Sequence, residues 1–222
     1  MINIAIDGPG GAGKSTLARQ TAEILGFLYV DTGALYRTVG VACTQNKADI
    51  TNDAAVAELI PSLTIDVELE NGEQVVYLSG QSVGDSIRTP EAAQAAAAVA
   101  ALPYVREFLL GLQRDIANKH HVIMDGRDIG TVVLPNADVK IYLTASAEER
   151  AKRRQGQLRK KGINMAFEDI VAAMKARDDA DSNREHAPLK AADDAVVVDS
   201  TSLCREETLA VLVKLIRERC GL

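Results

Sequence analysis

Gly8-Pro9-Gly10-Gly11-Ala12-Gly13-Lys14-Ser15 fits the pattern G-x-x-x-x-G-K-[ST] at every fixed position, and its surroundings restrict the fold as much as the motif does. The apolar stretch Ile2–Asp7 before it reads as a strand, and Thr16-Leu17-Ala18-Arg19 opens a helix behind it. Glycines let the backbone turn tightly, so successive N–H groups and the helix N-terminus face one point, which suits phosphate oxygens. In such a loop Lys14 reaches the β- and γ-phosphates of a nucleotide, and the Ser15 hydroxyl ligates Mg²⁺. The bland account is a glycine-rich strand-to-helix turn with no ligand; motif and context together weigh against it.

A loop of this kind does not name an acceptor, because GTPases, ATP-driven motors and small-molecule kinases share it. No Asn-Lys-x-Asp guanine motif occurs, and 222 residues are few for a motor. That length is enough for one α/β domain with a buried core and insertions. Further strand-like runs at Phe27–Val30, Val122–Asp125, Val139–Leu143 and Ala195–Val198 alternate with helical stretches after Lys14, Ala34, Leu102, Ser146, Ala166 and Arg205. The expected fold class is therefore α/β, a P-loop NTPase core with a parallel sheet flanked by helices. One region departs from the alternation. Residues 63–69 and 75–78, around Asn71-Gly72, read as an antiparallel hairpin, with a third short strand near Gln81-Ser82-Val83. Pro90 then opens an alanine-rich helix and Pro103 the next.

The formal net charge of −6 argues against a nucleic-acid polymer as partner. Cys43, Cys204 and Cys220 have neither metal nor disulfide spacing, which suits a reducing compartment. The chain opens directly into a strand, and its run Ala95–Leu102 is too short to span a bilayer. The expectation is a cytoplasmic monomer with no membrane partner.

Three further groups of residues carry chemistry. In Asp31-Thr32-Gly33-Ala34-Leu35-Tyr36-Arg37, Asp31 or Thr32 can cap a helix, while Tyr36 and Arg37 beside Thr32 suit a monophosphate. Asp125 ends a central strand near the P-loop and can hold Mg²⁺ through water; Arg127 and Asp128 follow in the loop where α/β proteins usually bind ligands. The bland account is a charged turn with an Arg127–Asp128 pair. Arg177, Asp181 and Arg184 are spaced i, i+4, i+7 and are expected on one helical face, as are Arg150, Arg153 and Arg154. Each face alone is explained by solvated salt bridges; two of them in an acidic chain point to polyphosphate chemistry. His120, His121 and His186 read as surface residues, Leu209–Ile216 as a packing face, and Asp193-Asp194 as a solvated loop.

At these residues the chain resembles the bacterial cytidylate kinases, of the nucleoside monophosphate kinase group. The resemblance runs nearly end to end through residues 6–15, 31–37, 87–89, 103–106, 125–131, 177–184 and 198–201, and the order of the segments makes it specific. It implies a single P-loop kinase unit over residues 1–222, with an inserted CMP-binding region at 32–106 and a lid at 150–168. It implies ATP bound by Gly8 to Thr16 (Gly8, Pro9, Gly10, Gly11, Ala12, Gly13, Lys14, Ser15, Thr16) with Arg153 and Arg154 on the ATP side. Thr32, Arg37, Arg127 and Arg184 would surround the CMP phosphate, Tyr36 would pack near the nucleotide, Arg177 and Asp181 would hold the sugar, and Arg106 and Asp128 would read the base. Lys14, Asp125, Arg127 and Arg184 would be catalytic, and Ser15 and Asp125 the metal ligands. One departure is Ala97, where the family often has a serine that contacts cytosine; Asp31-Thr32-Gly33 replaces Asp-Ser-Gly and keeps the hydroxyl.

The activity so implied is in-line transfer from MgATP to CMP, and to dCMP, in pyrimidine nucleotide metabolism. Two rivals stay open on the residues alone: a P-loop kinase for shikimate, gluconate or another monophosphate, and a non-enzymatic nucleotide-binding regulator.

Overall fold

Short strands alternate with helical segments along the chain except between Ile65 and Ser82, where strands follow one another directly. The computed structural model describes residues 1–50, 52–70, 73–160 and 162–222. In chain order the elements are β1 (Asn3–Asp7), α1 (Lys14–Leu25), β2 (Leu28–Asp31), α2 (Thr32–Gln45), α3 (Asp53–Leu59), β3 (Ile65–Glu70), β4 (Glu73–Leu78), β5 (Gln81–Ser82), α4 (Pro90–Val99), α5 (Pro103–Lys119), β6 (Val122–Gly126), β7 (Val139–Thr144), α6 (Ala147–Lys160), α7 (Phe167–Asn183), β8 (Val196–Asp199) and α8 (Arg205–Cys220). The larger sheet has the strand order β2-β6-β1-β7-β8, and the smaller one β3-β4-β5. This is the α/β architecture expected from the alternation of strands and helices.

The chain divides into two compact units, one of Met1 and Leu28–Val122, the other of Ile2–Phe27 and Ile123–Leu222. In the second unit β1 and β7 run parallel with Ile4 opposite Val139 and Asp7 opposite Tyr142, and β7 pairs with β8 from Ile141–Val196 to Thr144–Asp199. Ile4, Ala5, Ile6, Ile141 and Leu143 are buried, as strands covered on both faces require. The C-terminal helix α8 starts with a reciprocal cap between Cys204 and Glu207 and buries Thr208, Leu212 and Ile216 on one stripe, the packing face expected there.

The first unit has its own core of Leu35, Val39, Val56, Val76, Val99, Val105 and Leu109. Its small sheet follows the alternation of the sequence: Ile65 faces Leu78 and Val67 faces Val76, so apolar side chains gather on one face while Asp66 and Glu68 are exposed. The third strand is only Gln81–Ser82, paired with β4. The Asn71-Gly72 turn lies outside the described residues. Thr89 caps α4, with Pro90 in its first turn. The alanines of α4 have a packing reason, because a Cβ on Gly40 of α2 would stand 2.7 Å from the Cβ of Ala95. Helix α3 was not expected; Asn52 starts it by accepting from the N–H groups of Ala54 and Ala55.

One expectation about a helical face needs correction. Helix α7 ends at Asn183, and Arg184 has extended backbone, φ −65° and ψ 143°. It therefore leaves the face of Arg177 and Asp181; its Nε donates to the Ala187 carbonyl, and Pro188 follows. Arg150, Arg153 and Arg154 lie in one continuous helix, α6, within an arc of about 100°. Burial falls across it: Arg150 is buried, Arg153 half-buried and Arg154 exposed beside Gln157.

Candidate functional site

In the second unit the P-loop starts where β1 meets a carbonyl. Gly8 has φ +145°, and a Cβ there would lie 2.0 Å from the Leu143 oxygen, so only glycine fits. The Lys14 ammonium is buried and donates to the Pro9 carbonyl at 2.9 Å. Burial, and next the charge of Arg127, holds Lys14 far below its ordinary value, at about 7, while Asp125 and Asp7 pull the other way. Ser15 Oγ donates to Asp125 Oδ2 at 2.9 Å, which joins the loop to the end of β6.

Helix α6 holds the loop from its backbone. Arg150 Nη1 donates to the Gly10 carbonyl at 3.0 Å, its Nε donates to Ala145, and it ion-pairs with Asp178 of α7 at 2.6 Å. Arg153 donates to the Ala12 carbonyl at 3.2 Å and to Ser200 through both terminal nitrogens. Loop carbonyls turned toward guanidinium groups leave the loop N–H groups to the opposite side, where an anion would sit.

The turn after β6 does not contain an Arg127–Asp128 pair. Arg127 Nε donates to Asp181 at 2.8 Å, and Asp128 ion-pairs with Arg184 at 3.7 Å. So Arg127, Asp128, Asp181 and Arg184 are brought together although Arg184 is off the helical face that suggested it. Asp193-Asp194 is also less bland than expected, for Asp194 accepts from the buried Lys140 at 2.9 Å. His120, His121 and His186 are exposed, as expected.

In the first unit Asp31 caps α2, accepting from the Ala34 N–H at 2.9 Å and from Arg37 Nη2 at 2.8 Å. Its own N–H donates to Gln74 of β4 at 2.6 Å. Thr32 is buried. The Arg106 guanidinium lies 5.7 Å from the centre of the Tyr36 ring, a cation–π contact, and donates to the Ala100 carbonyl. Ala97 is exposed on α4.

Sequence reasoning passed over Asp7, Gln74 and Asp178. An acid closing an otherwise apolar strand was a usable signal for Asp7; Gln74 and Asp178 had none, since their partners lie 43 and 28 residues away in the chain.

A parallel sheet with a lysine, a hydroxyl and a strand-end aspartate assembled around its first loop defines a P-loop protein of the phosphoryl-transfer class. The cytidylate kinase family model matches residues 4–218. A cytidylate kinase of Mannheimia succiniciproducens is 51% identical over 218 residues, 98% of this chain and 97% of that one. Cytidylate kinase 1 of Haemophilus influenzae is 52% identical over 206 residues, 93% of this chain and 89% of that one. The crystal structure of an uncharacterized protein from Eubacterium ventriosum, 13% identical, shares the fold with a TM-score of 0.53 over 97% of this chain and 98% of that one. The chain belongs to the cytidylate kinase family.

Proposed function

We propose that this protein transfers the γ-phosphoryl group of ATP to CMP and to dCMP, giving ADP with CDP or dCDP in pyrimidine nucleotide metabolism. The observation that carries the reading is family membership across residues 4–218 in a chain whose Lys14, Ser15 and Asp125 are assembled at the P-loop. The rivals left open by the residues alone, a kinase for another acceptor and a regulator without activity, are not favoured by that membership.

The ATP phosphates belong on the loop N–H groups and Lys14, with Arg153 and Arg154 on the ATP side and residues 150–168 as the lid. Among the described residues no cluster of three or more His, Cys, Asp or Glu could hold a metal. The Ser15 hydroxyl and the Asp125 carboxylate are nevertheless hard oxygen donors 2.9 Å apart, which fits a Mg²⁺ that keeps waters and substrate oxygens as its other ligands. Bound there, Mg²⁺ would neutralise charge developing on the transferred group.

Residues 32–106 would form the acceptor region. Thr32, Arg37, Arg127 and Arg184 are assigned to the CMP phosphate, Tyr36 to the nucleotide face, Arg177 and Asp181 to the sugar, and Arg106 and Asp128 to cytosine. The acceptor oxygen is already anionic near neutral pH, so the chain supplies alignment and positive charge rather than a base. Cytosine offers an amine donor where uracil has a carbonyl. A carboxylate at Asp128 accepts from the first and repels the second. Ala97 supplies no hydroxyl, so base reading falls to Arg106 and Asp128. The protein acts as a cytoplasmic monomer in this reading, and its three free cysteines suit a reducing compartment. Among the described residues no single helix is long and apolar enough to cross a membrane.

ADP release with ATP, Mg²⁺ and CMP, dCMP, UMP, AMP, GMP or shikimate tests the proposal. Turnover with CMP and dCMP far above UMP is expected. Preference for another acceptor would overturn the base assignment, and silence with ATP still bound would overturn the enzymatic reading.

A further inference from the structure

Asp7 is the acid that closes β1, and it is 4% exposed behind Ile4, Ala5 and Ile6. Both carboxylate oxygens are engaged: Oδ1 accepts from the Ile129 N–H at 2.8 Å and Oδ2 from the Gly130 N–H at 2.7 Å. Those are the first two residues of a π-helical turn, Ile129–Val133, that begins directly after Asp128. The opening N–H groups of any helical turn lack intrahelical partners, and an aspartate at the cap position ordinarily folds back to satisfy them. Asp128 occupies that position here, with φ −147° and ψ 24°, but its side chain makes no capping bond. Its carboxylate is ion-paired with Arg184 instead. Asp7, more than 120 residues earlier in the chain, takes the Ile129 donor and the Gly130 donor, the second of which is one that a cap at Asp128 would otherwise reach.

We infer that Asp7 is a positioning residue for base selection: by capping the turn from a neighbouring strand it keeps the Asp128 carboxylate from collapsing onto its own helix, so that Asp128 is held for the acceptor base. The inference rests on the assignment of Asp128 to cytosine. The seat of the turn is tight enough to transmit a change, since a Cβ on Gly130 would stand 3.1 Å from Lys140 Cδ and 3.4 Å from Asp7 Oδ2. Asp7→Asn keeps the shape but sets an NH₂ group against one of two backbone donors. The turn then recruits Asp128 as its cap, and the base loses its reader.

The test is the ratio of kcat/KM for CMP to that for UMP in the wild type, Asp7→Asn, Asp128→Asn and the double variant, with binding of a fluorescent ATP analogue measured in each. Asp7→Asn is expected to lower the ratio roughly tenfold to a hundredfold, through KM for CMP, with ATP-analogue affinity held. Asp128→Asn should lower it at least as far, and the double variant no further, because the two changes act through one carboxylate. A ratio that falls in Asp128→Asn but stays at the wild-type value in Asp7→Asn overturns the role of Asp7 and leaves the base assignment standing. A ratio unmoved by Asp128→Asn overturns the base assignment, and the inference with it. Asp7→Ser, which is smaller and retains an acceptor, provides a second variant. If neither keeps the wild-type far-UV spectrum and ATP-analogue binding, Asp7 is a folding determinant and the positioning role is refuted.

Discussion

The two units hold their functional arginines in different ways. In the P-loop unit Arg150 and Arg153 are spent on backbone carbonyls of the loop and on Asp178 and Ser200, so their charges set the shape of the phosphate seat. In the other unit Arg37 is held by the Asp31 carboxylate, and Arg106 lies over the Tyr36 ring and donates to the Ala100 carbonyl. Burial does not separate them, since the Arg150 side chain is 7% accessible but that of Arg153, at 27%, is as open as that of Arg37 at 26%. The difference lies in the partners, loop carbonyls in the first and the Asp31 carboxylate and the Tyr36 ring in the second. A backbone-braced loop in one unit and side-chain-held arginines in the other is the division that the proposed reaction calls for, in which one ligand is always a triphosphate and the other must be discriminated.

The comparison can be broken most directly at Lys14. Lys14→Ala should lower kcat by about 10²–10³-fold while CMP binding, followed by calorimetry, stays close to wild type. An equal loss of CMP affinity would show that the two groups of residues do not divide the work. Next in size is Arg150→Met, which leaves the Asp178 carboxylate without its buried partner. Denaturant unfolding should show a loss on the order of 3 kcal/mol, together with weaker ATP binding. Unchanged stability would mean that the loop is not braced by α6.

A smaller effect sharpens the account of the buried unit through pH. Burial first, against the two amide donors, with a smaller push from the Asp128 carboxylate and a pull from Lys14, raises Asp7 from 3.8 to about 6, with Lys140 packed at Gly130. The folded chain therefore holds this proton more tightly than the unfolded one. Its contribution to stability is fully present below about pH 4 and is lost as pH rises through about 6, on the order of 3 kcal/mol before other groups are counted. Unfolding of Asp7→Asn across the same range should lack this component. The smallest expected change is at Asp31: Asp31→Ala removes a helix cap, costing about 1 kcal/mol, and releases Arg37. KM for CMP should rise roughly tenfold with kcat little changed; a KM at the wild-type value would mean that Arg37 needs no orientation from Asp31.

Local chemistry was legible in the residues. The P-loop and the helices after it, the start of α4 at Pro90, and the inward face of the small sheet all follow from spacing within a few positions. So does the family resemblance, which depends on residues present in order. What local pattern misjudged was reach. Arg184 was read as helical because i+7 is a helical interval, but Pro188 lies just beyond it and the helix stops at Asn183. The bland account of Arg127 and Asp128 as a pair rested on their adjacency, but neighbouring side chains at a strand end point apart and each finds a partner on or just beyond α7.

Helix periods, caps and a glycine pattern are properties of short stretches, so the chain order alone determined where phosphate can bind and what family the protein belongs to. Which carboxylate caps which turn is settled by parallel strands lying about 5 Å apart, and only the tertiary structure brings such strands together. That is why Asp7, unremarked in the chain, secures the turn behind Asp128 across 122 residues, and why Asp128 does not do it for itself.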